Sequence, residues 1–156
     1  MTLLLWFGLA LFGVILFWWW QGVSQFKSLE SGKHGPFTVS KTSGSGDSYL
    51  AWDAGRRKVA LVNNPIPEFN GKGHYTSSRL MTVVFDLSEV ASVSLIEDQM
   101  SVAVHFYFTK PVPGWNIRKE LVFMGGHGIV RFFAENITDV VLHRYRKNNT
   151  GGVDPL

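Results

Sequence analysis

An uninterrupted apolar run near the start of the chain constrains this sequence more than any other feature. From Leu3 to Trp20 no side chain carries a charge, a hydroxyl or an amide. At about 1.5 Å rise per residue, a helix that continues to Gly22 is about 30 Å long, which matches the hydrocarbon thickness of a bilayer. The run therefore predicts a transmembrane anchor over residues 1–24.

Tryptophans at both ends of the run fit this prediction. Trp6 lies near one end, and Trp18, Trp19 and Trp20 lie at the other, where amphipathic rings favour the headgroup level. All 15 Lys and Arg residues follow the run, and Lys27 is the first of them, close enough to contact the interface. The positive-inside rule then predicts a single-pass inner-membrane protein whose C-terminal domain is cytoplasmic.

A signal peptide, a core helix and a lipid anchor fit the composition of the run less well. A cleaved signal peptide has a basic segment first and small residues before the cut, whereas no Lys or Arg precedes this run and its end is rich in Trp. A buried core helix of a globular domain is shorter, about 10 to 14 apolar residues. Lipid acylation has no attachment point, because the chain lacks Cys and begins Met1-Thr2.

Past the run, composition divides the chain into three parts. Residues 25–36 are polar and contain glycine, which is typical of a juxtamembrane tether. Residues 37–147 are long enough to bury a hydrophobic core and predict one domain. Residues 148–156 carry Gly and Pro in a polar setting and predict a flexible tail.

The domain is rich in strand signals. Short apolar or alternating runs are separated by Gly, Pro, Asn and Asp, as in antiparallel sheets. Gly55 is predicted to supply the positive φ of the turn after the second strand. Seven strands at short spacing predict a mainly-β antiparallel sandwich or barrel. The predicted strands cover residues 37–42, 49–52, 58–62, 79–85, 90–96, 100–108 and 117–124.

The period of the apolar residues changes near the C-terminus. Spacings of three, four and eight residues are produced by one helix face and predict a C-terminal helix that caps the sheet. The residues concerned are Ile129, Phe132, Phe133, Ile137, Val140 and Val141. An alternative takes residues 129–133 as an eighth strand, followed by a shorter helix that begins at Asn136.

The segment Phe85–Asp98 reads Phe-Asp-Leu-Ser-Glu-Val-Ala-Ser-Val-Ser-Leu-Ile-Glu-Asp. Together with the strands and the capping helix, it resembles the small bacterial pleckstrin-homology-like domain families of unknown function. Several of these are similar in following one N-terminal membrane helix. The resemblance implies an adaptor or assembly domain that binds protein segments or lipid headgroups. It does not extend to specific phosphoinositide binding, because the first hairpin carries only Lys41.

A search for catalytic and metal-binding motifs yields no candidate. The chain has no Cys, which excludes thiol nucleophiles and thiolate metal sites, and its five His residues form no metal-ligand array. Neither a nucleophile elbow nor a phosphate-binding loop is present. We therefore expect no catalysis and no cofactor. A net charge of +3, with the cations mixed among 12 acids, does not predict nucleic acid as a partner.

Two segments are candidates for binding. Arg56, Arg57 and Lys58 place three positive charges at a hairpin tip, where they predict contact with anionic lipid headgroups or, more simply, a soluble charged turn. Residues 63–78 predict a long polar loop, and loops of that length are commonly functional. Its apolar residues, Ile66, Phe69 and Tyr75, are the predicted protein-binding site.

These expectations together describe a non-catalytic domain that acts as an adaptor or subunit of a membrane protein assembly. Its expected partners are membrane lipid and either another membrane protein or a second copy of the chain, since tethering raises effective concentration. The alternative is a phage or plasmid exclusion or immunity factor that binds an incoming protein at the membrane. An enzyme is a third class, for which no motif was found.

Overall fold

The computed structural model describes the chain in four stretches. These are residues 2–45, 48–69, 75–111 and 119–156. Side chains are described over the same stretches except at residues 2–5, 21–28, 45, 65–69 and 75–79. The chain divides into two compact units, Met1–Val39 and Ser40–Leu156. Each unit is considered by itself below.

The first unit is dominated by helix α1, which runs from Thr2 to Glu30. It continues through the first half of residues 25–36, where the sequence predicts a tether. Within the described part of the chain, no helix combines the length and the apolarity needed to cross a bilayer. The predicted transmembrane anchor over residues 1–24 is wrong, and so is the single-pass inner-membrane location that follows from it.

The side chains of residues 6–20 are exposed throughout. Trp6, Trp18, Trp19 and Trp20 are each between 64% and 73% exposed. Their predicted position at a membrane interface rested on the anchor, and the structure gives it no other support. The side chain of Lys27, assigned to the same interface, lies outside the described residues.

The second unit is mainly β, as the sequence predicts, but its strands are more numerous than seven. The described residues of this unit contain nine strands in two sheets, ordered β1-β2-β3-β4 and β7-β6-β5-β8-β9, one α-helix, α2, at Gly128–Asn136, and a short 3₁₀ helix at Leu87–Glu89. The strands are β1 Lys41–Ser45, β2 Ser48–Asp53, β3 Lys58–Phe69, β4 Tyr75–Asp86, β5 Val90–Glu97, β6 Val102–Phe108, β7 Glu120–Gly125, β8 Leu142–Lys147 and β9 Val153–Pro155. Neighbouring strands are antiparallel except β5 and β8, which are parallel.

The two sheets and α2 share one hydrophobic core. On β6 the burial alternates, so that every second side chain is directed inward, as a strand with one buried face requires. The ring of Phe106 on β6 lies 5.2 Å from that of Phe85 on β4 and 6.0 Å from that of Phe133 on α2, measured between centroids. Phe106 therefore joins all three layers of the domain.

The predicted C-terminal helix is present but shorter than its apolar spacing indicated. Helix α2 ends at Asn136, whose side-chain amide donates to the carbonyl of Phe132 at 2.9 Å. It includes residues 129–133, so the alternative strand there is wrong. The chain then returns as β8, paired with β5, and both Leu142 on β8 and Val140 in the bend before it pack on the core. Periodicity alone does not separate the end of a helix from apolar residues on the bend and strand that follow it.

The segment for which the sequence predicts a flexible tail contains a turn and strand β9. Asn148 begins a tight turn in which its side-chain oxygen accepts hydrogen bonds from the backbone N–H groups of Thr150 and Gly152. Gly151 has a φ of 84°, a conformation that glycine adopts without strain. The turn reverses the chain, and β9 pairs antiparallel with β8.

A capping box precedes β5 and gives a first test of the fold. The side chain of Asp86 accepts from the backbone N–H of Ser88 at 2.9 Å, and Glu89 accepts from the backbone N–H of Asp86 at 3.3 Å. We expect Asp86→Ala to lower the free energy of unfolding by about 0.5–1 kcal/mol at pH 7, measured by urea unfolding. Asp154→Ala, in the exposed strand β9, is the matched control.

The effect of Asp86→Ala should depend on pH. Hydrogen bonds from Ser88 hold the pKa of Asp86 below its ordinary value of 3.8 in the folded protein. A lowered folded-state pKa means that the stabilisation is complete above that ordinary value and is lost as the pH falls through the lowered pKa. The difference between the wild type and Asp86→Ala should therefore shrink in acid, and an equal difference at pH 7 and pH 2 would contradict this account.

Candidate functional site

The basic turn between β2 and β3 is held by acidic side chains. Arg56 pairs with the buried Asp53 at 3.3 Å, and Arg57 pairs with Asp139 at 2.9 Å. Positive φ occurs at Arg57 (54°) and not at the predicted Gly55, since Asp53 fixes the start of the turn by accepting from the backbone N–H of Arg56. These ion pairs are accounted for by stabilisation of the turn itself. Headgroup contact by Arg56, Arg57 and Lys58 stays a prediction.

The long polar loop predicted over residues 63–78 is largely strand. It is divided between the extended β3 and β4, which pair Ile66 with Arg79 and Phe69 with Tyr75. Residues 70–74 lie outside the described residues, and so do the side chains of Ile66, Phe69 and Tyr75. Their predicted role in protein binding stays a prediction.

A cleft between the outer edge of β1 and helix α2 is a stronger candidate. It encloses about 450 Å³, within the range of about 300 to 1,000 Å³ typical of ligand sites. One wall is formed by residues 41–44 of β1, and the other by Arg131, Phe132 and Glu135 of α2. The two walls come from opposite ends of the domain's sequence and are brought together by the fold.

The β1 wall presents a strand edge. Among the described residues β1 has β2 as its strand neighbour and no other, so the side of β1 that faces the cleft carries backbone N–H and C=O groups outside any sheet ladder. Gly44 lets β1 approach β2 closely, because a Cβ added there would lie 2.7 Å from the Cα of Tyr49. Its φ of 140° also favours glycine. Gly44 therefore shapes this wall.

The α2 wall has an apolar floor and a charged rim. Ile129 and Phe132 are buried at the base of the cleft. On the rim, the Nε of Arg131 donates to Oε1 of Glu135 at 2.6 Å, one turn further along the helix. This hydrogen bond lowers the pKa of Glu135, and the positive charge of Lys41 on the opposite wall lowers it further. The rim is therefore ionised at neutral pH.

The residues before α2 leave one end of the cleft open. The backbone N–H of Ile129 donates to the carbonyl of Gly126 at 3.0 Å, and His127 contacts the carbonyl of Gln99 at 3.2 Å through its Nε2. At both Gly126 and Gly128, no described atom lies within 4 Å of the position that a Cβ would occupy. A ligand can therefore approach the backbone there.

Sequence reasoning missed this cleft. The glycines before α2 were visible as a break between a strand and a helix, but nothing near them in the chain indicates that β1 forms the facing wall. Comparison of the chain with protein-family models, with curated proteins and with solved structures found no match.

Proposed function

We propose that the unit Ser40–Leu156 is a non-catalytic binding module, an adaptor or subunit of a protein assembly, which binds an extended segment of its partner along β1. The observation that carries this proposal is the cleft, in which an edge of β1 that pairs with no strand of the described stretches faces helix α2 across about 450 Å³. Addition of a strand to a sheet edge is a recurring mode of peptide recognition.

The two walls of the cleft contribute to binding in different ways. The backbone of β1 supplies hydrogen bonds that any extended peptide can form, which gives affinity without sequence preference. At about 3.3 Å per residue, the five residues Lys41–Ser45 present an edge about 17 Å long. Alternate side chains of the added strand then face α2, where Phe132 lines the base of the cleft. These contacts give preference for one sequence over another.

The exposed surface of α1 also supports membership of an assembly. Over residues 6–20 every described side chain is exposed, including Phe7, Leu9 and Phe12 at 56% to 71%. A contiguous apolar surface of this extent is typical of a surface that a partner covers. The adaptor proposal therefore involves two surfaces, one in each unit of the chain.

Selection of linear peptides on the purified full chain tests the proposal. Mild detergent is included, because α1 exposes apolar side chains. We expect extended peptides that bind and that slow hydrogen exchange of the backbone amides in residues 41–44, since strand addition places peptide carbonyls opposite them. Peptides that bind without protecting β1, or a library that yields no binder, would contradict strand addition.

A side chain placed in the cleft gives a matched pair of variants. Gly128→Trp should block the cleft without disturbing α2, because the space beside Gly128 is open. We expect it to weaken the selected peptides at least about tenfold, or about 1.4 kcal/mol. Val153→Trp adds the same ring at a half-exposed position on β9, at the opposite edge of the second sheet from β7, and should leave affinity unchanged.

A further inference from the structure

The charges of the cleft indicate which extended segments it prefers. Three charged side chains line it, two cations, Lys41 and Arg131, and one anion, Glu135, which leaves a net charge of 2 − 1 = +1. Lys41 lies on the β1 wall, and Arg131 lies on the α2 wall. A peptide that runs along β1 therefore passes between positive charges.

Glu135 is the acidic group on which both cations act in the free protein. Its Oε1 accepts from Arg131 Nε at 2.6 Å, and the charge of Lys41 acts on the same carboxylate. Glu135 is fixed on α2, so it reaches Arg131 from the helix side. A carboxylate on the bound peptide would reach the guanidinium of Arg131 from the side of β1.

The ion pair of Arg131 and Glu135 is an exchangeable contact. The side chain of Arg131 is 83% exposed and that of Glu135 is 49% exposed, so water and salt screen their attraction. Exposed pairs one helical turn apart contribute little to stability. An incoming carboxylate has to displace only this weak contact. In addition, the Nη groups of Arg131 provide donors for a second, bidentate interaction.

We propose that the cleft takes an extended acidic segment, in which a Glu or Asp side chain between apolar residues binds Lys41 and Arg131, and that Glu135 occupies this carboxylate position until the partner arrives. The inference rests on the proposed strand addition along β1. It identifies the chemistry of the partner and assigns an autoinhibitory role to Glu135.

The test compares two fluorescent peptides of seven residues on the purified full chain, by fluorescence anisotropy. Both alternate Thr and Val, and the central residue is Glu in one and Gln in the other. We expect the Glu peptide to bind about fivefold more tightly to Glu135→Gln than to the wild type, and about fivefold more weakly to Arg131→Gln. Lys41→Gln should also weaken binding of the Glu peptide. Arg131→Lys retains the positive charge but loses the forked guanidinium donors, so it should weaken binding of the Glu peptide less than Arg131→Gln does.

The Gln peptide and a distant charge change provide the controls. The Gln peptide should bind the wild type, Glu135→Gln and Arg131→Gln equally. Asp154→Asn changes the net charge of the chain by the same amount as Glu135→Gln, but it lies in β9, and it should leave both peptides unaffected. If the Glu peptide binds Asp154→Asn more tightly than the wild type, the higher affinity is due to overall charge, and the proposal is overturned.

The outcomes separate this inference from the function on which it rests. If both peptides bind equally and protect the amides of residues 41–44, the result supports strand addition and refutes the preference for an acidic segment. If the Glu peptide binds but Glu135→Gln gives no gain, the autoinhibitory role of Glu135 is refuted. If neither peptide binds any variant while circular dichroism shows the fold intact, both the preference and the strand addition are wrong.

Discussion

Phe106→Ala is expected to lower the free energy of unfolding by about 3–5 kcal/mol, the cost typical of removing a buried aromatic ring. Phe106 has no exposed surface, and its ring contacts Phe85 on the first sheet and Phe133 on α2. Its removal leaves a cavity at the junction of three layers, which rigid strands cannot close. Because domains are stable by only about 5–15 kcal/mol, much of the stability would be lost.

Urea unfolding followed by circular dichroism measures this loss. The control is Met100→Ala, at a position 91% exposed in the turn between β5 and β6, where we expect a change within about 0.5 kcal/mol. Comparable losses for the two variants would show that Phe106 does not hold the sheets and α2 together.

Asn64→Asp should destabilise the protein by at least about 3 kcal/mol at neutral pH, because it places a charge in the interior. Asn64 is 2% exposed, and its side-chain amide donates to the carbonyl of Val122 on β7 at 2.8 Å. It thereby links β3 to the second sheet. A carboxylate at this position has no proton to donate at neutral pH and faces the carbonyl oxygen instead.

The penalty of Asn64→Asp should be smaller in acid. Burial would raise the folded-state pKa of the new carboxyl above its unfolded value of about 3.9, so the folded protein would bind the proton more tightly. The difference from the wild type should then be least below pH 4, increase as the pH rises, and level off above the raised pKa.

Urea unfolding of both proteins between pH 3 and pH 7 measures this dependence. Asn64→Leu removes the hydrogen bond without adding a charge and should cost about 1–3 kcal/mol at every pH. A penalty for Asn64→Asp that does not change with pH would mean that the carboxyl is not buried in the folded state.

The sequence predicted those strands that carry an apolar pattern of their own. The predicted strand over residues 90–96 matches β5, in which Val93, Ser94 and Leu95 are all buried, and that over residues 100–108 matches β6, in which buried and more exposed side chains alternate. Strand β8 has no such apolar pattern. Its sequence, Leu-His-Arg-Tyr-Arg-Lys, is mostly exposed, and its positive charges suit the C-terminal end of a helix equally well.

The candidate site could not be predicted in the same way. The β1 wall reads as a short polar strand, and the α2 wall reads as one half-buried face of a helix. Neither carries a motif, because strand addition uses backbone groups that every sequence has. Only the sheet order, with β1 at an edge and α2 following β7, brings Lys41 and Arg131 into one cleft.

The parallel pairing of β5 with β8 has a consequence for how the protein forms during synthesis. Strand β5 is central in its sheet, yet Val93 pairs with Leu142 and Glu97 with Arg146, so each residue from Val93 to Glu97 pairs with one that lies 49 positions later in the chain. The ribosome has to release the chain as far as Arg146 before that ladder closes, and contacts between residues distant in sequence form slowly. Until then, one edge of β5 is open to pairing with another nascent chain, which makes this interval the one in which a chaperone is most useful.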